Sequence, residues 1–474
     1  MTKRAGLLDW LDRRTGIRGL LSEALDEPIP GGARLAYVFG SGLLFLFLSQ
    51  VITGVFLALY YVPSADHAHT TVAYIVKEVS SGSFLRSLHS YGSSAMIVVL
   101  LLHIGQTILY GSYKGTRELL WLAGVVLFGL TLGMSFTGYL LPWDQKAYFA
   151  TAVGTNILAE VPIVGDWLRQ LVRGGTDMGT MTLSRFFVAH VFLLPAAIFA
   201  FVAIHVWLFR KAGAAGPPSP RVPATVGSFY PGQVLMDVGF ALLIVVALGA
   251  LALAVPVELG PEADSADARF LPRPEWYYVP VFQWLKYWEG SLAVVGIVVI
   301  PAVLACLFAG LPFLDRRAER RPWKRPFTVG TFVVIMLGLV SLGMLSRAAD
   351  RADPGVVELL NAQRDAARAY MEAPFEPDES SASLGAANAV LADPIGARGR
   401  AVYEEQSCDI CHGSDGLGVP GVPTLVDLTT KYPGGALAGI LREPTPQMVD
   451  GGMTPLEVPD ADLLALLTYV NSLR

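Results

Sequence analysis

Two apolar segments of membrane-spanning length each carry a pair of histidines, and this pattern constrains the fold more than any other feature. His89 and His103 lie fourteen residues apart in the first segment, and His190 and His205 lie fifteen residues apart in the second. Fourteen residues of α-helix rise about 21 Å and return to within about 40° of the same stripe. Ionisable side chains are costly at membrane depth and usually mark function there. The two pairs therefore predict two functional levels inside a helical membrane protein.

A single histidine in a membrane helix more often bonds a neighbouring helix than binds a metal. Four histidines at matched depths on two helices favour ligation instead. His89 would share a level with His190, and His103 with His205, so that two imidazoles hold one haem iron at each level. An iron with two axial imidazoles has no open position for oxygen, so this arrangement predicts electron transfer.

The composition is that of a membrane protein. Hydrophobic residues make up 53% of the chain and charged residues 16%, against about 25% charged residues in soluble domains. The fold class predicted is all-α, a bundle of seven transmembrane helices followed by a small soluble helical domain. Apolar runs of roughly 20 residues predict the spans at 35–61, 84–110, 119–141, 184–209, 233–256, 292–314 and 327–346. The sequence contains no nucleic-acid-binding patch.

The distribution of lysine and arginine predicts the orientation. Basic residues concentrate in the N-terminal segment and in the loops after the second, fourth and sixth spans, which share one face. By the positive-inside rule this face is cytoplasmic, in a bacterial inner membrane. The N-terminus is then cytoplasmic and residues 347–474 are periplasmic. His67 and His69 fall in a loop on the outer face, where both are expected to be exposed to solvent.

Five segments are predicted along the chain. Residues 1–33 form an amphipathic interfacial segment, 34–215 a four-helix domain with the histidine pairs, and 216–346 a three-helix domain. Residues 347–393, rich in Ala, Asp, Glu, Ser and Pro, form a linker, and 394–474 form the soluble module.

Glycines and arginines recur near the histidine levels. The first and third spans repeat the fourteen-residue interval with glycines, at Gly40 and Gly54 and at Gly124 and Gly138. Ordinary packing of small residues is one explanation, but the shared interval favours clearance for a flat macrocycle. Four arginines would pair with haem propionates or reach to the lipid headgroups: Arg86, Arg117, Arg185 and Arg210.

The soluble module carries Cys408-Asp-Ile-Cys411-His412, the C-x-x-C-H pattern of covalent haem attachment. The two thiols add to the haem vinyl groups, and the adjacent imidazole binds the iron. A zinc site or a disulfide is the minor alternative. Haem c is attached outside the cytoplasm, in agreement with the orientation predicted from the basic residues.

The segments around the histidines resemble cytochrome b of the quinol–cytochrome c reductases, the bc1 and b6f family, and most of all its b6 branch. The resemblance is carried by RSLHSYG, TGYLLPWDQKAYFATAV and TLSRFFVAHVFLLP. Spans five to seven resemble the separate subunit IV of b6f complexes, with LPRPEWYYVPVFQWLKYW as the quinol-site motif. Residues 394–474 resemble class I cytochrome c. The resemblance implies a dihaem cytochrome b bundle fused to a cytochrome c domain.

The cytochrome c resemblance implies further positions in the soluble module. The sixth iron ligand is a methionine before the last helix, and Met453 fits this spacing better than Met448. Pro423 is expected to orient His412 through its carbonyl oxygen. The first and last helices of the module are expected to pack through three residues: Gly399, Tyr403 and Tyr469.

The quinol-site motif implies a substrate site at Pro274, Glu275, Trp276 and Tyr277. Oxidation of a quinol releases two protons and two electrons, so a carboxylate beside the ring is useful as a base. Glu275 is the predicted base, with Tyr277 and Tyr139 as neighbouring catalytic hydroxyls and Pro274 and Trp276 as substrate-binding residues. The alternative is that Glu275 is an acidic loop residue in solvent.

The cofactors predicted are two non-covalent haems b, each held by two histidines, and one haem c attached at Cys408 and Cys411. In b6f complexes a cysteine in the first span attaches a further haem. The matching position here is Val38, and spans one to four contain no cysteine, so no such covalent haem is expected.

The predicted function is the cytochrome b and c subunit of a quinol:cytochrome c (or similar acceptor) oxidoreductase. By resemblance, quinol is oxidised at the outer face, one electron passes to a separate Rieske iron–sulfur protein and haem c, and the other crosses the membrane through the b haems in a Q cycle. The expected partners are quinol and quinone, the Rieske protein, other cytochrome c or membrane subunits, the lipid bilayer and a second copy in a homodimer of the complex. The alternative is a dihaem anchor that conducts electrons in another quinone-linked complex without bifurcation, and the Glu275 motif argues against it.

Overall fold

The computed structural model describes residues 7–218, 226–265, 267, 269–377, 394–413, 425, 428, 432, 436–450 and 453–473. The chain divides into two compact units, Met1–Phe375 and Glu376–Arg474. Each unit has its own apolar core. Within the described residues both units are built almost entirely of helices.

Six helices of the first unit are long and apolar enough to cross a membrane. Their side chains are mostly unburied within the unit, as expected of surfaces that face lipid. They span Leu35–Ala58, Gly82–Tyr110, Glu118–Leu140, Thr180–Ala212, Phe229–Ala254 and Pro326–Ala352.

The span predicted over 292–314 differs from the others because it is broken. It consists of a π-helical turn at Val295–Val299, an α-helix at Ile300–Ala309 and a short helix at Leu311–Leu314. Pro301 lacks the N–H that would bond the preceding turn, and Pro312 follows Gly310 at the second break. The prolines thus divide an apolar run whose composition alone predicted one continuous helix.

Neighbouring helices pack in antiparallel pairs. The first span packs on the second and the third on the fourth, while Phe229–Ala254 lies against the first and second spans. The broken segment packs on the third span, and Pro326–Ala352 packs on the second span and on the helix Val279–Leu285. The second span therefore lies among the first span, Phe229–Ala254 and Pro326–Ala352, whereas the fourth span packs mainly on the third.

The bundle has two ends, which we call the Glu275 end and the Arg320 end after residues that lie there. The Glu275 end carries the shorter helices Ala68–Lys77, Gln145–Ala159 and Gly165–Arg173. A buried guanidinium, that of Arg173, donates to Thr155 Oγ1 (2.8 Å) and Asn156 Oδ1 (3.0 Å) and so fixes the last of these helices on the one before it.

A buried charge network lies at the Arg320 end. Lys114 Nζ lies 2.6 Å from Asp315 Oδ1, and Tyr113 donates to Asp315 Oδ2 at 2.6 Å. Arg325 lies 3.6 Å from the same carboxylate and donates to the Tyr113 hydroxyl. Burial alone raises the pKa of Asp315, but the bonds from Lys114 and Tyr113 outweigh it and hold the pKa below its usual value. The network joins the second span to the start of the last one.

The N-terminal segment forms two short helices, Leu7–Thr15 and Ile17–Leu25. They are separated by Gly16, whose φ of 63° is left-handed and ends a helix at little cost for glycine. A strand at Pro28–Pro30 follows and pairs antiparallel with Val226–Ser228. Sequence periodicity did not indicate this pairing, because its two strands have three residues each and lie almost 200 positions apart.

The first part of the predicted linker is ordered in the structure. Asp353 caps a helix at Pro354–Glu372, which ends against Ala68–Lys77. Lys77 Nζ donates to the carbonyls of Tyr370 (2.7 Å) and Ala373 (2.9 Å). Tyr370, Met371 and Phe375 pack on an apolar cluster of the Glu275 end formed by Val72, Ala73, Val76 and Leu259. A segment with the composition of a linker thus begins as a docked helix.

The prediction of a solvent-exposed His69 was wrong. His69 is 3% exposed, its Nε2 lies 2.8 Å from the Gly260 carbonyl oxygen, and its ring lies 5.1 Å from that of Tyr370. The reason is that the outer loop folds into the helix Ala68–Lys77 and is covered by the helix Pro354–Glu372. His67, directly before it, is half-buried.

The second unit has helices at Pro394–Glu405, Cys408–His412, Ala436–Arg442, Pro446–Asp450 and Asp460–Val470. Its core is formed by the first and last of these helices. A side chain at Gly399 would collide with the backbone of Ala465, and the rings of Tyr403 and Tyr469 lie 5.4 Å apart. The three residues predicted at this helix contact therefore lie in it. Pro423 lies outside the described residues.

Candidate functional site

The structure brings the four membrane histidines together as two pairs. The ring centres of His89 and His190 are 6.3 Å apart, and those of His103 and His205 are 6.5 Å apart. Imidazoles on opposite sides of one metal ion, each at a metal–nitrogen distance of about 2 Å, have ring centres roughly 6 to 6.5 Å apart. The spacing in both pairs therefore fits one iron between two rings.

A π-helical turn explains how unequal spacings give matched levels. His190 lies in the turn Ala189–Leu193, which precedes Pro195 in the helix Leu194–Ala212. Pro195 has no N–H to close the α-helical turn, and a π-turn accommodates one extra residue. The fifteen residues from His190 to His205 thus match the fourteen α-helical residues from His89 to His103.

Hydrogen bonds orient the imidazoles at the Glu275 end. Thr53 Oγ1 donates to Ser49 O (2.8 Å), so it accepts from His89 Nδ1 at 2.9 Å. His190 Nδ1 lies 3.0 Å from the Met134 carbonyl oxygen, which can only accept. Both rings therefore carry their proton on Nδ1 and present the lone pair of Nε2, which is the form that binds a metal. No sequence motif marks Thr53 for this role.

Each predicted glycine faces one of the four histidines. A Cβ atom at Gly54 would lie 3.1 Å from His89 Cε1, and one at Gly138 would lie 2.5 Å from His190 Cε1. At the other level the distances are longer, 3.7 Å from Gly40 to His103 and 3.3 Å from Gly124 to His205. The absent side chains leave room for the imidazoles, and the fit is closer at the Glu275 end.

A cavity of about 320 Å³ connects the histidines of the Glu275 end with the predicted quinol-site residues. Its lining is mainly apolar, with a few polar groups directed inward, as in most small-molecule sites. Among its lining residues are His89, His190, Tyr139, Glu275 and Tyr277. Residues as far apart in the chain as His89 and Tyr277 thus line one cavity.

The polar groups of this cavity have defined partners. Glu275 Oε1 accepts from Lys146 Nζ at 2.9 Å. The hydroxyls of Tyr277 and Ser135 lie 2.5 Å apart, and burial raises the pKa of Tyr277 to about 12. The Tyr139 hydroxyl is buried and has no hydrogen-bond partner in the part of the chain that the structure describes. An unpartnered buried hydroxyl is costly, so Tyr139 is well placed to bond a ligand in the cavity.

Trp276 and Pro274, the other two residues of the quinol-site motif, flank the Glu275 carboxylate. Trp276 is 44% exposed, and its indole N–H lies 3.4 Å from Ser94 Oγ. Pro274 is half-buried. It follows Arg273, which forms two hydrogen bonds to the Asp350 carboxylate at 2.9 and 2.6 Å. This ion pair fixes the quinol-site motif to the spanning helix Pro326–Ala352.

The four predicted arginines lie at the helix ends and have protein partners. Arg86 donates to the carbonyls of Val257 and Glu258, and Arg185 to those of Gln170 and Leu171. At the other end, Arg117 donates to the carbonyls of Ala212 and Gly213, and Arg210 forms a 3.0 Å ion pair with Glu27. In these contacts Arg86, Arg117 and Arg185 bond carbonyl oxygens, which do not neutralise a positive charge. The charge of each guanidinium is therefore still able to attract an anionic propionate.

The second unit places its haem-attachment residues on one short helix. Cys408 and His412 are half-buried at either end of Cys408–His412, and the side chain of Cys411 lies outside the described ones. The Tyr403 hydroxyl donates to the Gly413 carbonyl at 2.7 Å, which ties the residue after His412 to the first helix. Met453 is half-buried, and its N–H donates to the Met448 carbonyl at 2.9 Å. A thiol and an imidazole on one helical turn fit the attachment of haem c.

Three family models match the chain. The model described as "Cytochrome b/b6/petB" matches residues 24–213, "Cytochrome b(C-terminal)/b6/petD" matches 263–359, and "Cytochrome c" matches 396–474. Together they include both histidine pairs, the Glu275 motif and the C-x-x-C-H pattern.

Relatives and a solved structure agree with these matches. The menaquinol:cytochrome c reductase cytochrome b subunit of Bacillus subtilis (strain 168) is 41% identical over 219 residues, which are 44% of this chain and 98% of that protein. The cytochrome bc complex cytochrome b subunit of Chlorobaculum thiosulfatiphilum is 34% identical over 354 residues, 72% of this chain and 81% of that protein. A hyperthermophilic respiratory Complex III matches with a TM-score of 0.65 and 26% identity, over 78% of this chain and 98% of its own.

Proposed function

This chain belongs to the cytochrome b family of bc1 and b6f complexes and ends in a cytochrome c domain, and we propose that it is the cytochrome b and c subunit of a quinol:cytochrome c oxidoreductase. In this proposal quinol is oxidised at the Glu275 end, which is the periplasmic face of a bacterial inner membrane. The N-terminus is cytoplasmic, and the cytochrome c domain is periplasmic.

One observation carries the proposal: a single cavity is lined by His89, His190 and Glu275. A site that takes a proton and an electron from one molecule needs a base and an electron acceptor within reach of the same ring. An electron conduit needs only the histidines. The shared cavity therefore favours quinol oxidation over simple conduction.

The residues of this chain perform the proton chemistry. The mainly apolar lining binds the quinol ring and excludes water, which strengthens every polar contact inside. Glu275 accepts the proton as the quinol O–H bond breaks and the carboxyl O–H bond forms. Tyr139 offers its unpartnered hydroxyl to a quinol oxygen, and the short bond to Ser135 holds Tyr277 in place.

The histidine pairs are proposed to hold two haems b, and Cys408, Cys411, His412 and Met453 to hold one haem c. When bound, these groups supply one-electron transfer. His89 and His190 would hold the haem near the quinol, and His103 and His205 the haem near the cytoplasmic face. One electron of each quinol is proposed to pass to a separate Rieske protein and the other to the b haems, as in a Q cycle.

The complex is proposed to work as a homodimer in the lipid bilayer, with other cytochrome c or membrane subunits as further partners. Movement of one charge across a potential of 100 mV corresponds to about 2.3 kcal/mol. Transfer of electrons from the Glu275 end to the Arg320 end would therefore conserve energy.

A haem assay followed by a reduction assay on the purified complex tests the proposal. A pyridine haemochrome spectrum is expected to give two haems b for each haem c, and haem staining one covalent haem. Added quinol is expected to reduce both kinds of haem, and an outer-site quinol inhibitor to prevent this. A second covalent haem would contradict the inference from Val38. Reduction that is insensitive to the inhibitor would support the conduit alternative.

A further inference from the structure

Lys146 forms an ion pair with the proposed base. It is the second residue of the helix Gln145–Ala159, and its Nζ lies 2.9 Å from Glu275 Oε1. The two residues are 129 positions apart in the chain, and both line the cavity of the Glu275 end. The lysine side chain is 49% exposed and the glutamate side chain 32%. The pair therefore lies at the rim of the cavity.

The other charged residues that line this cavity have partners elsewhere. Asp144 accepts two backbone N–H groups at 2.8 and 3.2 Å. Arg86 donates to two backbone carbonyls, and Glu258 lies 3.5 Å from Arg368. Lys146 thus supplies the charge that acts on the proposed base.

Two tyrosines also face this ion pair. Nζ of Lys146 lies 5.6 Å from the ring centre of Tyr139, whose buried hydroxyl has no hydrogen-bond partner among the described residues. Burial raises the pKa of Tyr277 to about 12, so this tyrosine is neutral near pH 7. A quinol oxygen that bonds Tyr139 would lie in the cavity that the ammonium and the carboxylate also line.

We propose that Lys146 is the fixed cation of the proton-transfer step, paired with the Glu275 carboxylate before the transfer and with the deprotonated quinol oxygen after it. This inference deepens the function proposed above and rests on it. In the step the quinol O–H bond breaks, the O–H bond of the Glu275 carboxyl forms, no electron moves and the ammonium keeps its protons. The negative charge moves from one oxygen to another beside the same cation.

The exchange lowers the barrier because the two anions differ in basicity. A quinol oxygen is a stronger base than a carboxylate, and a charged donor binds the more basic oxygen more strongly. The ammonium therefore stabilises the state after the transfer more than the state before it. An interaction that is stronger in the transition state than in the ground state raises kcat rather than changing KM.

Charge-removing and charge-keeping variants of the full complex separate this role from a structural one. Lys146→Met keeps the aliphatic stem and removes the charge, and Lys146→Arg keeps a charge. With a decyl-substituted quinol as substrate, Lys146→Met is expected to lower kcat about tenfold and to leave KM within about twofold of the wild-type value. This effect is at the lower end of the range for a charged hydrogen bond, because the lysine is half exposed. Lys146→Arg is expected to retain at least about a third of kcat.

Two further variants complete the design. Lys211, whose ammonium lies 5.4 Å from the Trp207 ring centre, is the matched control, and Lys211→Met is expected to leave kcat unchanged. In a Glu275→Gln background, Lys146→Met is expected to have little further effect, because the step that it assists is already lost.

The outcomes distinguish the two proposals. Wild-type complex that oxidises no quinol would refute the proposed function itself. If the wild-type complex is active and the Lys146→Met variant is equally active, only the role of Lys146 is refuted. The same holds if Lys146→Met still lowers kcat tenfold in the Glu275→Gln background. If Lys146→Met does not assemble with its b haems, Lys146→Gln is judged by the same criteria.

Discussion

The two histidine levels repeat one motif in different surroundings. Each level has two imidazoles with ring centres 6.3 or 6.5 Å apart and one glycine facing each imidazole. At the Glu275 end a Cβ atom added to either glycine would lie 2.5 or 3.1 Å from an imidazole, and the rings line a cavity together with Glu275, Tyr139 and Tyr277. At the Arg320 end the corresponding Cβ distances are 3.3 and 3.7 Å, and Arg117 and Arg320 at that end donate to backbone carbonyls.

This difference shows that the motif itself specifies only where a haem is held. What each level does depends on side chains supplied by other parts of the chain. The Glu275 end combines the metal-binding imidazoles with groups that move protons, whereas the Arg320 end offers positive charge. Variants at matched positions of the two levels test this division.

The largest expected difference lies between Gly138→Ala and Gly40→Ala. A methyl group at position 138 would lie 2.5 Å from His190 Cε1 and about 3 Å from both ring nitrogens, so the imidazole cannot keep its position. At position 40 the nearest ring atom is 3.7 Å away, an ordinary contact. Gly138→Ala is expected to retain one haem b instead of two and to lose quinol oxidation, while Gly40→Ala retains both haems. Pyridine haemochrome spectra of the two purified variants measure this.

Loss of a haem in both variants would have a different meaning. It would show that the glycines make room for the macrocycle itself and not only for the imidazole. The asymmetry between the levels would then have no consequence for haem binding.

The next largest effect is expected for Glu275→Gln. Removal of a general base slows its step by about 10² to 10⁴-fold, so quinol oxidation is expected to fall at least a hundredfold while the haem b spectrum stays unchanged. Glu27→Gln, which breaks the ion pair with Arg210 at the other end, is the matched carboxylate control and is expected to change this rate far less. Stopped-flow reduction of haem b by quinol measures both. Equal rates in the two variants would rule out Glu275 as the base.

Asp315→Asn is expected to reduce stability without changing quinol chemistry. The change leaves Lys114 and Arg325, 7% and 2% exposed, beside a neutral partner, which costs about 3 kcal/mol. Because the pKa of Asp315 is lowered in the folded protein, its stabilising effect is present above the ordinary carboxyl pKa of about 4 and is lost as the pH falls through the lowered value. Thermal release of haem b as a function of pH checks this. A variant as stable as the wild type at pH 7 would show that the network contributes little.

The smallest expected effect is that of Lys77→Met. Lys77 satisfies the carbonyls at the end of the helix Pro354–Glu372, so its loss is expected to loosen this helix by about 1 kcal/mol. Amide hydrogen exchange at Tyr370 and Met371 is then expected to be faster in the variant, with exchange in the long spans unchanged. Equal exchange in both proteins would mean that the apolar contacts alone hold the helix.

Much of this fold was predictable because membrane helices have a strong local signal. Six apolar runs form long helices, and the histidine intervals predicted two levels before any contact was known. The broken span shows the limit of hydropathy, which counts apolar residues but does not register that Pro301 removes a hydrogen bond. The π-turn at His190 has the same origin, since Pro195 lies four residues after Val191.

The remaining differences come from contacts between distant parts of the chain. His69 is buried because a helix almost 300 positions later covers it, and no local pattern contains that information. Lys146 lies in TGYLLPWDQKAYFATAV, one of the segments that resemble cytochrome b. Its significance depends on Glu275, which the fold brings within 2.9 Å. Assignments to haem c, including Met453 as the sixth ligand, stay predictions.

The strand pair Pro28–Pro30 with Val226–Ser228 bears on whether the bundle can assemble from two separate polypeptides. It joins the N-terminal segment to the start of the three-helix part, and Arg34 N–H donates to Gln233 Oε1 beside it. At the opposite end Tyr91 donates to the Val255 carbonyl. Two fragments produced separately, divided between Gly213 and Val226, should thus find each other in the membrane and assemble. Translation as one piece would then secure equal amounts of both fragments but would not be needed to build the bundle.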